Sequence, residues 1–166
     1  MPTDRIEHIL GFDRIRKIIS DRCSTEYAVD RTAAETFSTN EKEIRRRLLL
    51  TDEMRLIVMF EESFPSNGYI DCVGFLQMLE NSGANIDLTS LGKLRTMLET
   101  LRKVSMFFSN IKDGVYPNLK RMVSQIALFP EVQQRIDSIL DKFGNVKDTA
   151  SDGLYAVSYT HLTLPL

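Results

Sequence analysis

A chain of 166 residues has about the length of one domain, and 43% hydrophobic against 27% charged residues, with 8 Gly and 5 Pro, excludes collagen, low-complexity disorder and a disulfide scaffold. The 21 basic and 23 acidic residues leave a net charge of −2, so no global basic field draws the chain to nucleic acid or to a membrane. No run of 18 apolar residues is present to span a bilayer. The opening Met1-Pro-Thr-Asp-Arg-Ile-Glu-His8 lacks the apolar centre of a signal peptide, and Cys23 and Cys72 form no CxxC pair. The expectation is a cytoplasmic chain with two buried or idle thiols.

Apolar spacing is helical almost throughout. Ile6, Ile9 and Leu10 begin a short stretch that Gly11 breaks, and Asp13 reads as the N-cap of a helix turning Ile15, Ile18 and Ile19 inward. Ser24, followed by Glu26 and Tyr27, starts a second short helix through Ala34. Asn40 with Glu43 has capping-box character, and the Gly- and Pro-free run from Glu41 to about Glu62 predicts one long helix. Its core stripe reads as Leu50, Met54, Ile57 and Val58. Phe64-Pro-Ser-Asn-Gly68 is a breaker, and Gly68-Tyr-Ile-Asp-Cys72 is the best of very few strand signals.

A helix over about Val73 to Glu80 and the turn at Asn81-Ser82-Gly83 follow. Thr89 or Asp87 then caps the most regular element, where Leu91, Leu94, Leu98, Leu101 and Phe108 keep a heptad spacing interrupted at Ser105. Two shorter helices open at Pro117 and Pro130, since the first-turn N–H is unpaired in any case. Their inward residues read as Leu119, Met122, Val123 and Ile126, then Val132, Ile136, Ile139 and Leu140. The fold class is all-α: a bundle of about six to seven helices with short loops, two of them longer.

Residues 155–166 carry none of the 44 charged side chains. Ser158-Tyr-Thr-His-Leu-Thr-Leu-Pro165 resembles a translated sequencing adapter; its alternating Thr and Leu also fit a β-prone tail. The domain expectation is therefore 1–154 as a helical region and 155–166 as a non-native or disordered tail.

Chemistry-bearing motifs are sparse. A P-loop needs Gly-x4-Gly-Lys-Ser/Thr so that backbone N–H groups wrap phosphates, whereas Phe75 follows Gly74 here. Cys23, Cys72, His8 and His161 offer no local zinc-ligand pair, and His8 beside Glu7 reads as a solvated histidine. Asp52-Glu53 and Glu61-Glu62 read as solvated faces, because neighbours on a helix point apart. No catalytic, cofactor-binding or metal residue is expected. Arg45, Arg46, Arg47, Lys120 and Arg121 are the candidates for nucleic-acid contact, against the plainer reading in which Glu43 pairs with Arg47 along the helix.

Read in order, four signatures resemble the Smr-domain-bearing endonuclease branch of the MutS family. Leu10-Gly-Phe-Asp-Arg-Ile-Arg-Lys-Ile-Ile19 looks like that branch's opening L-x-F-D-x-I helix, and Thr51-Asp-Glu-Met-Arg-Leu-Ile57 is similar to its next long helix. Leu91 to Phe108 matches its leucine-rich helix. Asp141-Lys-Phe-Gly-Asn-Val-Lys-Asp-Thr-Ala-Ser151 resembles the D-x-x-G-x-(I/V)-x-D-x-A-S turn closing the region. The family then continues with Pro-Glu-Leu and a charged helix; Asp152-Gly153 departs from that and Leu154 still fits. The resemblance covers about residues 4–154.

It implies a truncated piece: the N-terminal core and lever of a homodimeric ATPase and endonuclease. The parent would use ATP and Mg, act on DNA or ribosomes, restrain homologous recombination and split collided ribosomes. The piece itself would hold no cofactor, carry no nuclease motif and sit in no membrane. The alternative from another class is a stand-alone all-α protein-interaction module.

Overall fold

The computed structural model describes residues 3–81 and 83–151, with side chains from Ile6 onward; the tail reading for 155–166, including His161, lies outside the described residues. Among the described residues eight α-helices run in order: α1 (Thr3–Ile9), α2 (Phe12–Ser20), α3 (Glu26–Ala33), α4 (Glu41–Phe60), α5 (Val73–Leu79), α6 (Leu88–Asn110), α7 (Pro117–Val123) and α8 (Pro130–Ile139). A single 3-10 turn, Asp148–Ala150, closes the described chain. No strand forms among the described residues, and Gly68–Cys72 is irregular backbone; the single bridge joins Leu140 and Val146. The all-α expectation holds, with eight helices rather than six or seven. The two longer ones are α4, of 20 residues, and α6, of 23.

Local chemistry explains most boundaries. Asn40 accepts the Glu43 N–H at 3.2 Å and Asp87 the Ser90 N–H at 2.9 Å, each capping its long helix. The box at Asn40 is only half formed, because the Glu43 carboxylate turns to Arg46 and Arg47 instead. Two caps shift from expectation. Gly11, in the left-handed region at φ 74°, precedes α2, so Asp13 falls inside its first turn. Thr25, not Ser24, caps α3, accepting from the Ala28 N–H.

The last turn has a complete local account. Asp141 Oδ1 accepts the N–H groups of Phe143 and Asn145, both at 2.8 Å, while Gly144 takes φ 87°. Reversal there places Val146 opposite Leu140, which is fully buried. Asp at the first position and Gly at the fourth are thus what the turn requires.

The core is small and lies where α4, α6 and α7 meet. Ile57 is fully buried among Val104, Phe107, Phe108, Tyr116, Leu119 and Val123. Phe64, Phe107 and Phe108 stack edge-to-face, with centroids 5.1–6.4 Å apart. Helix α8 joins through Arg95, whose Nε pairs with Asp137 and whose terminal nitrogen donates to the Asp141 carbonyl, both at 2.7 Å.

Core assignments change on five helices. On α4, Val58 is 73% exposed, because it lies about 100° round the helix from Ile57 and beyond the face that α7 covers. On α6, the buried residues are Thr100, Val104, Phe107 and Phe108, so the core stripe is the neighbouring i, i+4, i+7 row rather than the leucine heptad; of that heptad only Phe108 is buried. On α2, Ile15, Ile18 and Ile19 are each at least half exposed. That helix packs chiefly on α1 and α3, which have seven and eight residues and too little mass to close over it. Met122 and Val132 are also exposed, whereas Leu119, Val123, Ile136 and Leu140 are buried as expected.

Candidate functional site

The arginine run sits in the first two turns of α4 and is paired throughout. Arg45 donates to Glu41 at 3.1 Å, Arg46 grips Glu43 through two nitrogens at 2.8 and 2.9 Å, and Arg47 donates to Glu43 at 2.6 Å. Arg47 also pairs with Glu35 in the segment before α4. The Arg46 and Arg47 guanidinium groups hold the Glu43 carboxyl down at about 2. Sequence spacing foresaw the Glu43–Arg47 pair; the Glu35 contact, twelve residues away, it could not. A phosphate would have to displace these carboxylates to reach the guanidinium groups.

Lys120 is likewise engaged. Its Nζ donates to Asp113 at 2.6 Å and to the Ile111 carbonyl at 2.9 Å, closing the loop ahead of α7. Arg121, next along α7, is exposed and has no ion pair among the described residues. No hydrogen bond or ion pair joins these two residues to the α4 arginines, and α7 meets α4 at Glu53, roughly 10 Å along the axis from them at 1.5 Å per residue.

Glu53 is the residue that sequence reasoning placed wrongly. The solvated face expected of Asp52-Glu53 holds for Asp52, which points outward to Arg55, but Glu53 is only 8% exposed. Its Oε1 accepts the Asn118 N–H at 3.1 Å and the Asn118 side-chain amide at 2.6 Å, and its Oε2 accepts the Leu119 N–H at 2.7 Å. A carboxylate of α4 thus caps α7, where the preceding residue, Tyr116, has no acceptor placed to do so. Tyr116 itself takes the left-handed conformation at φ 52° and donates its hydroxyl to Glu61 at 3.1 Å. Burial first, and then Glu61, push its phenol up. The signal in the sequence was a gap: Tyr116-Pro117 opens a helix with no local capping side chain, so an acceptor must come from elsewhere.

Other chemistry-bearing groups lie apart. His8 is 75% exposed on its side chain and pairs with Asp13 at 2.8 Å, a surface contact between α1 and α2. Cys72 is buried, and burial raises its thiol; Cys23 is half-buried against the Ile19 carbonyl, and both are free. Among the described residues, no group of three His, Cys, Asp or Glu side chains is placed to hold a metal ion, and no helix is long and apolar enough to cross a membrane.

One open concavity is almost wholly apolar. A groove of about 470 Å³ opens between α3, α5, α6 and α8, floored by Leu94, Leu98 and Leu101 and flanked by Leu76, Phe129 and Val132. Three of the four heptad leucines therefore line an open groove. It offers contact area and shape, with almost no polar group to orient a substrate.

The described residues define an all-α protein. No protein-family model matches the chain. Over 158 residues it is 25% identical to Endonuclease MutS2 of Listeria welshimeri serovar 6b, covering 94% of this chain and 20% of that protein. It is 23% identical over 155 residues to Endonuclease MutS2 of Geobacillus sp. strain WCH70, and 24% identical over 148 residues to that of Geobacillus thermodenitrificans. The chain spans about a fifth of the length of the curated relatives it matches.

Proposed function

We propose that this chain is the N-terminal helical segment of a longer MutS2-related protein, acting there as a packed lever between a DNA clamp and an ATPase. The observation that carries the reading is extent: similarity runs along 94% of this chain but only 20% of the relative. The mechanics are compatible. Helix α6, at 1.5 Å per residue, is a rod of about 35 Å, held to α7 through the core and to α8 through Arg95. The half-exposed isoleucines of α2 and the open leucine groove give further domains a surface to pack on. On this reading the parent is a cytoplasmic homodimer that uses ATP and Mg and acts on DNA, on collided ribosomes or on both. It restrains recombination, and its nuclease chemistry resides in an Smr domain outside these residues. Arg121 is the basic candidate best disposed to touch phosphate, since Arg45, Arg46, Arg47 and Lys120 are already paired.

The test is the nucleotide sequence of the locus beyond the codon for Ser151. A reading frame that continues into Gly-x4-Gly-Lys-Ser/Thr supports the proposal; an in-frame stop after Leu166 in an independent long read overturns it. The leucine groove favours a second reading, a stand-alone interaction module, and that stop codon is the result it requires.

A further inference from the structure

We draw no further inference here: the strongest candidate, the open apolar groove between α3, α5, α6 and α8 floored by Leu94, Leu98 and Leu101, is an unpartnered face and nothing in the structure shows what covers it.

Discussion

Replacing Glu53 tests the reasoning most directly, because one side chain is assigned to cap a helix that its own sequence leaves uncapped. Glu53→Gln keeps the volume and one carbonyl acceptor but turns the other oxygen into a donor. That donor would face either the Leu119 N–H or the two donors of Asn118. A hydrogen bond to a charged group contributes about 1.5–3 kcal/mol, so the isosteric change should cost about that much. Glu53→Ala removes all three bonds. It strands the Leu119 N–H, which is buried, whereas half-buried Asn118 can recruit water. One unsatisfied buried donor at about 1–3 kcal/mol and one lost cap at about 1 kcal/mol together give about 2–4 kcal/mol. Urea denaturation followed by circular dichroism at 222 nm reads this as a lowered midpoint at constant slope. Amide exchange should accelerate first across α7. The α4 location separates cause from coincidence: Asp52→Ala, on the adjacent but exposed position, should shift stability by less than about 0.5 kcal/mol. If Glu53→Ala matches the parent midpoint and α7 keeps its protection, the capping role is wrong.

Burial on α6 is separable by a pair of substitutions. Phe108→Ala, at a buried position, should cost about 3–5 kcal/mol, whereas Leu98→Ala, half-buried at the groove floor, should cost less than about 2 kcal/mol; equal losses in denaturant would contradict the observed stripe. Gly68 has φ 82° and a Cβ there would strike the Thr100 hydroxyl, which donates to the Gly68 carbonyl at 3.1 Å. Gly68→Ala should therefore destabilise by about 2–4 kcal/mol in thermal melts, while Gly92→Ala, helical and facing open space, should stabilise by up to about 1 kcal/mol. Acid should unfold the chain in a defined window. The Tyr27 and Val73 N–H groups lower Asp71, Ser90 lowers Asp87, Asn145 lowers Asp141, and Arg46 with Arg47 hold Glu43 at about 2. Carboxyls lowered on folding stabilise above their unfolded values near 4 and lose that stabilisation as pH falls through the folded ones. The melting temperature should hold from pH 7 to about 5 and drop between about pH 4 and 2, and a melt unchanged at pH 2.5 would refute this. The segment should also bind ATP no more tightly than millimolar, lacking the Gly-x4-Gly-Lys backbone cradle; a micromolar dissociation constant by calorimetry would contradict that.

The sequence by itself determined most of what is set by neighbours within about one turn, although the caps of α2 and α3 fall at Gly11 and Thr25 rather than at Asp13 and Ser24. Asn40 and Asp87 cap because their side-chain oxygens reach an N–H three residues on, and Pro117 and Pro130 open helices because their missing N–H is needed by no one. The Asp141–Val146 reversal follows from an Asp acceptor and a glycine able to take positive φ. Helical class and the long α4 and α6 follow from periodicity, helped in α4 by the lack of an interior Gly or Pro.

Which side of each helix is inside was decided only by the tertiary structure. Helix α6 carries two apolar rows, the leucine heptad and the Thr100–Val104–Phe107 row, and periodicity cannot rank them. The second is buried because α4 and α7 close over it, while the first faces the groove. Glu53 and Asp52 are indistinguishable as adjacent acids, yet one meets the N–H groups of a helix 65 residues away and the other pairs with Arg55 on the exposed face of its own helix. Local geometry fixes where a side chain points relative to its own helix. Whether that direction holds solvent, a hydrophobic core or another helix's unpaired N–H groups depends on contacts between distant segments, and no spacing rule within one helix encodes them.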